Sequence, residues 1–267
     1  MAGAIALRPS ILQRSADLED LSYHWKEDRI MHYSRLFGDT RKICGALLEG
    51  LFCGRSPIRI YEAGGGSSTS IPASLRERSQ ITVVDVSPEQ LERCAYADVK
   101  VLGSCESWSD PNAFDLVVCN YVLEHVSDVR GAIRCFVRSL QSTGVVLIAV
   151  PRKHGLQGFV TRLTPHAFHV LYYRWTGRLN AGKPGFAPFE TLFSPGVAGY
   201  ELRRILEQEG CNIVAAAEHV GTQDRILKNS HPIVHAAYVA FCMMLRALTL
   251  GIYDGRHSDF WIIAQKK

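Results

Sequence analysis

The sequence has no C-x-x-C pair among its eight cysteines. That removes the paired-thiol spacing of common zinc and redox sites and leaves the cysteines reading as buried thiols in a reducing compartment. It has no block of like charge either: 30 Lys and Arg and 26 Asp and Glu are scattered, with a formal net charge of +4. So even a distribution gives no electrostatic footprint for nucleic acid. Met1 to Leu12, mildly apolar with Arg8 inside it, lacks the charged, then apolar, then small layout of a secretion signal. Its want of acids resembles an organellar transit peptide only faintly, and a cytoplasmic protein is expected. One apolar run, Pro232 to Tyr253, approaches the length of a membrane span, but His235 and Arg246 interrupt it. A buried helix is the first expectation there, with a homodimer face or a membrane-surface contact through 232–253 left open.

What is present is an ordinary globular composition, 47% hydrophobic and 21% charged, at a length that suits one large α/β domain. The organising stretch runs from Ile58 to Ser68. A short strand pattern, Ile58-Arg59-Ile60-Tyr61, leads through Glu62-Ala63 into Gly64-Gly65-Gly66-Ser67-Ser68 and on towards a helix. Three adjacent glycines let a backbone approach a ligand closely and permit positive φ, as a tight strand-to-helix turn requires. Glu62, two residues before the first of them, would repel phosphates and attract a cation such as a sulfonium or ammonium. A second β-branched run, Ile81 to Asp85, ends in an acid 21 residues after Gly64, where a carboxylate can accept both hydroxyls of an adenosine ribose. Ser87-Pro88-Glu89-Gln90 supplies an N-cap, a proline at the first helical position and a Gln able to complete a capping box.

Glu62-Ala63-Gly64-Gly65-Gly66 resembles the first motif of the class I S-adenosylmethionine-dependent methyltransferases, an acidic residue followed by G-x-G-x-G. Phe114-Asp115-Leu116-Val117-Val118-Cys119-Asn120-Tyr121-Val122-Leu123-Glu124-His125-Val126 closely resembles the fourth motif of their small-molecule members. The likeness is dense from Ile58 to Pro151. It departs from the family at Ser68, where a third glycine is often found, at Ser104, where an Asp commonly accepts from the adenine amino group, and at Tyr121.

The resemblance implies a Rossmann-like, seven-stranded, mostly parallel sheet with helices on both faces and an antiparallel last strand, the sixth and seventh strands being Gly210 to Val214 and Ser258 to Gln265. Residues 1–54 would be a helical cover, from Asp17 to Leu36 and Asp39 to Phe52. Residues 55–267 would be the catalytic domain, with a substrate-lid insertion at about 152–195. S-adenosylmethionine would be the cofactor, with Glu62 and Asn120 at its methionine end beside Tyr121, and Gly64, Gly65 and Gly66 in close backbone approach. Asp85 would take the ribose, and Val86, Ser104 and Cys105 the adenine. His125, beside Glu124, is the candidate general base. Some relatives bind a metal through Glu-x-x-Glu-His here, but Tyr121 replaces the first Glu and leaves two ligands, so no catalytic metal is expected.

The acceptor is expected to be a small, hydrophobic metabolite of a biosynthetic route. Tyr23, Trp25 and Tyr33 from the cover and His166 and His169 from the insertion are the candidate contacts. Two other classes stay open. An oxidoreductase would set a pyrophosphate beside Glu62, and an adaptor would keep the fold without catalysis.

Overall fold

The structure, a computed structural model, describes residues 31–32, 40–251 and 253–267. Tyr23, Trp25 and Tyr33 lie outside them. Strands β2 (Ile58–Ala63), β3 (Ser79–Asp85), β4 (Val99–Leu102), β5 (Phe114–Asn120), β6 (Leu140–Pro151), β7 (Cys211–Val220) and β8 (His257–Lys266) make the expected sheet. The order is β7-β8-β6-β5-β2-β3-β4, and β8 runs antiparallel to both β6 and β7. An eighth strand, β1 (Met31–His32), pairs parallel with β7 at Ala217 and Glu218. It falls inside the stretch whose spacing predicts a helix over Asp17 to Leu36; edge pairing with β7 overrides helical periodicity there.

The central strands are covered on both faces, which is why they read as nearly unbroken apolar runs. Alternation sends Tyr61 and Ala63 to one side with Val117, Cys119, Ile133 and Phe136, under α4 (Val129–Ser139) and α7 (Gly199–Gln208). Ile58 and Ile60 go to the other side with Leu48, Phe52, Leu75 and Leu116, under α1 (Thr40–Leu51), α2 (Ala73–Arg76) and α3 (Pro88–Arg93). Helix α2, the helix that follows the glycine loop, is only four residues long. Pro72, at ψ 142°, holds the chain extended and delays the first turn.

Two helical insertions flank β7. The first holds α5 (Leu156–Leu163), α6 (His166–Trp175) and the loop that returns to α7; the second, between β7 and β8, holds α8 (Thr222–Ser230) and α9 (Pro232–Leu248). The expectation of a buried helix over 232–253 is overturned. Cys242 alone of the α9 residues is buried, while Ile233 is 85% and Leu248 73% exposed. No described helix is long and apolar enough to cross a membrane.

Candidate active site

The site forms where the parallel strands end, at the carboxyl edge of the sheet. Glu62, next to last in β2, is 2% exposed and accepts a hydrogen bond from Thr69 Oγ1 at 3.0 Å. Burial pushes its carboxyl up to about 7, against the lowering pull of Thr69, Tyr96 and the Ser70 backbone. A cation placed beside it would restore the charged form.

Gly64 and Gly66 take φ +63° and +53°, and the Gly64 N–H donates to Val84 O at 2.7 Å, tying the loop to β3. A Cβ on Gly64 would lie 2.3 Å from Val122 Cγ2, one on Gly65 2.5 Å from the Tyr96 hydroxyl, and one on Gly66 2.4 Å from Gln90 Oε1. The loop is therefore closed upon by side chains from three other segments. What suits a ligand here is the buried Glu62 carboxyl beside the loop, which a cationic group would meet favourably.

Asp85 closes β3. Its Oδ1 accepts from the Ser87 N–H at 2.8 Å, and the Gly66 and Val86 amides favour its charge while burial raises its carboxyl. Val86 beside it is 69% exposed. After β4, Ser104 Oγ donates to Glu106 Oε2 at 3.3 Å and accepts from the Glu106 N–H at 3.2 Å. Cys105 is buried, with its thiol pushed up to about 12. Glu106 is committed elsewhere: its Oε1 accepts from Ser127 N, Ser127 Oγ and Asp128 N at 2.6–2.8 Å, fastening the start of α4.

At the end of β5, Asn120 is half-buried, and Tyr121 takes φ +56° and donates its hydroxyl to the Asp259 carboxylate. Leu123–His125 form a short 3₁₀ turn. Glu124 is 3% exposed, and burial, with Asp259 adding, pushes its carboxyl up to about 8. Its carbonyl accepts from the Leu192 and Phe193 amides at 2.8 and 3.1 Å. His125 Nδ1 meets Glu190 O at 2.5 Å, its ring packs edge-on to Phe189, and burial lowers its basicity. Both residues thus grip the returning end of the first insertion. His166 and His169 touch one another, and His169 Nε2 lies 2.8 Å from Thr164 Oγ1, so their contacts stay within the α5–α6 turn. Among the described residues, no three His, Cys, Asp or Glu side chains gather as metal ligands would.

Two participants escape sequence reasoning. Gln90 does not complete a capping box. Ser87 Oγ caps α3 through the Gln90 N–H at 3.2 Å, but the Gln90 amide accepts from the Ser67 N–H at 2.8 Å and donates to Gly185 O at 2.7 Å. It therefore links the glycine loop to the first insertion. Asp259, on β8, takes the Tyr121 hydroxyl and lies 4.0 Å from His219 Nε2. The available signal is a lone acid immediately before the apolar run Phe260 to Ala264 of the closing strand. For Gln90→Met, which keeps the volume and removes both amide bonds, cofactor affinity is expected to fall about 5- to 10-fold, from roughly one net hydrogen bond's worth of loop order. Titration calorimetry checks this, and an unchanged affinity would assign the bridge to stability alone.

Residues 61–148 match a family model described as methyltransferase domain. Among solved structures, phosphoethanolamine N-methyltransferase 2 of Haemonchus contortus, in complex with S-adenosyl-L-methionine, aligns over 99% of this chain and 60% of its own, with TM-score 0.53 and 18% identity. The YcgJ protein of Bacillus subtilis aligns over 85% of this chain and 99% of its own, with TM-score 0.52 and 15% identity. The cyclase SpnF aligns over 91% and 85%, with TM-score 0.51 and 15% identity. At these identities the likeness is one of fold. No curated protein matches the sequence.

Proposed function

We propose that the chain is a class I S-adenosylmethionine-dependent methyltransferase that methylates an O, N or C atom of a small, largely apolar acceptor, a reading supported by the methyltransferase-domain match and the sheet topology. The observation that carries the reading is Glu62, a buried carboxyl against a glycine loop, with Asp85 at the end of the next strand. A pyrophosphate would meet that carboxyl unfavourably, which disfavours the nicotinamide alternative; an ammonium or sulfonium would meet it favourably.

S-adenosylmethionine, when bound, supplies a methyl group already activated on positive sulfur. We assign Glu62 and Asn120 to its methionine end, beside Tyr121, the backbone of Gly64, Gly65 and Gly66 to close contact, Asp85 to the ribose, and Val86, Ser104 and Cys105 to the adenine. For such a displacement the protein's task is alignment and exclusion of water. The insertion fastened at Gln90, Glu124 and His125 serves that task, with Phe189 supplying apolar wall. Where the acceptor must lose a proton, the Tyr121, Asp259 and His219 group stands at the same sheet edge as a relay; His125, which points Nδ1 at the Glu190 carbonyl, acts by position. Eight free cysteines suit work in the reducing cytoplasm.

One second reading has an observation behind it. Ser104 is engaged with Glu106 and Tyr121 with Asp259, both at positions that depart from the family pattern, as a protein that binds the cofactor and passes nothing on would allow. The test is titration with S-adenosylmethionine, S-adenosylhomocysteine and reduced nicotinamide dinucleotide, then transfer of labelled methyl to a panel of apolar alcohols, amines and activated carbons. Micromolar binding of the first two with turnover is expected. Binding without turnover would favour the second reading, and binding of the nicotinamide alone would overturn both.

A further inference from the structure

Helix α9 is built inside out. Its inward stripe is polar: His235 Nε2 lies 3.1 Å from Asp224 Oδ2, the Tyr238 hydroxyl donates to Gly255 O at 3.1 Å, and Arg246 Nη1 lies 3.3 Å from Asp254 Oδ2. Its outward stripe is apolar, with Ile233, Phe241, Met243, Met244 and Leu248 all exposed. Soluble surface helices place these stripes the other way round.

The face does not end with that helix. The Trp175 ring at the end of α6 stacks on His231, just before α9, with centroids 3.7 Å apart and planes 3° off parallel. Behind it α5 and α6 expose Phe159, Leu163, Phe168 and Leu171. α6 itself buries no residue. An apolar surface shared by three helices calls for an occupant.

Charge says which occupant fits. Residues 152–189 and 221–256 hold ten Lys and Arg against two acids, Asp224 and Asp254, leaving 20 against 24 for the rest of the chain's totals of 30 and 26. Both acids are spent inward, Asp224 on His235 and Asp254 on Arg246 and Arg256. A modest net charge thus conceals a cationic helical lobe on an anionic body. A second copy would bring the same positive lobe against its twin, which like-charge repulsion opposes.

We propose that α5, α6 and α9, with the exposed basic side chains of α5 and of the adjoining α8, form a docking face for an anionic bilayer surface, the apolar stripes entering the headgroup boundary and Arg162, Arg225 and Lys228 meeting lipid charge. The contact is peripheral, since no described helix can span a bilayer.

The test is co-sedimentation of the full chain with sucrose-loaded vesicles of phosphatidylcholine alone or with 30% phosphatidylglycerol, an order-of-magnitude anionic fraction for a strong surface field. Binding is expected to the mixed vesicles, at least about 10-fold weaker to neutral ones, and weakened by high salt. Phe241→Glu with Met244→Glu, and separately Arg162→Gln, Arg225→Gln and Lys228→Gln together, should each lower binding about 10-fold or more. Thermal unfolding and S-adenosylhomocysteine titration should stay at wild-type values in both variants. The readout needs no turnover, so it stands apart from the methyl-transfer reading. No binding to anionic vesicles, equal binding to neutral ones, or binding indifferent to the Phe241 and Met244 changes would overturn the proposal. So would a stable dimer in sedimentation that those two changes split.

Discussion

In Glu124→Gln most of the loss of stability that the wild-type protein shows between pH 5 and about 8.5 is expected to disappear, a difference of about 3–5 kcal/mol at the upper end. The folded carboxyl sits near 8 against 4.5 for the free side chain, because burial disfavours its charge and Asp259 adds to the effect. A group with a raised folded value binds its proton more tightly when native. Its contribution is complete below the unfolded value, declines by about 1.4 kcal/mol per pH unit between the two values, and is gone above the folded one. Stability therefore falls as pH rises, the reverse of the usual salt-bridged carboxylate. Glu62, pushed up to about 7, has the same sign over a narrower window and remains in the variant as a smaller slope. Urea unfolding at pH 5, 6, 7 and 8 reads this directly. Parallel losses in wild type and Glu124→Gln would mean that Glu124 is ionised in the native protein, and the account of the turn would have to be withdrawn.

The second large effect is on cofactor affinity. Asp85→Ala should weaken S-adenosylhomocysteine binding about 100-fold, the combined worth of two charge-assisted hydrogen bonds to a ribose less what water returns. Part of the loss comes through the protein, since the Ser87 and Gly66 amides that favour the carboxylate would lose their acceptor. Asp85→Asn keeps an oxygen in place and forfeits the charge, so its loss should be intermediate, about 10-fold. Calorimetry on the three proteins at one pH and salt gives the ordering. An Asp85→Ala affinity within threefold of wild type would remove Asp85 from the binding site.

The central strands were legible because a parallel strand covered on both faces cannot hide its composition: Phe114 to Cys119 and Ile81 to Val84 admit few other arrangements. Glu62, the glycines, Asp85 and Ser87 were legible for a related reason, each being specified by its immediate neighbours. Gln90 was not. Its two amide partners lie 23 and 95 residues away, and a local capping rule claimed it first. Asp259 belongs to the site only because the reversed β8 returns between β6 and β7. Helix α9 failed in a more instructive way. Its polar stripe, His235, Tyr238, Cys242, Arg246 and Thr249, has helical spacing, but sequence does not say which stripe faces inward. Asp224 and Asp254, at either end of the segment, decide it.

The glycine loop carries a further meaning for descent. Val122, Tyr96 and Gln90 occupy the space that side chains at Gly64, Gly65 and Gly66 would need. A descendant that abandoned its cofactor would still be held to Gly64 and Gly66, which take positive φ as well as close packing, by selection for folding. The motif, met in a distant homologue, is thus a heritable mark of architecture. Retention of chemistry in that homologue is better judged at Asp85, whose carboxylate the fold can spare more readily.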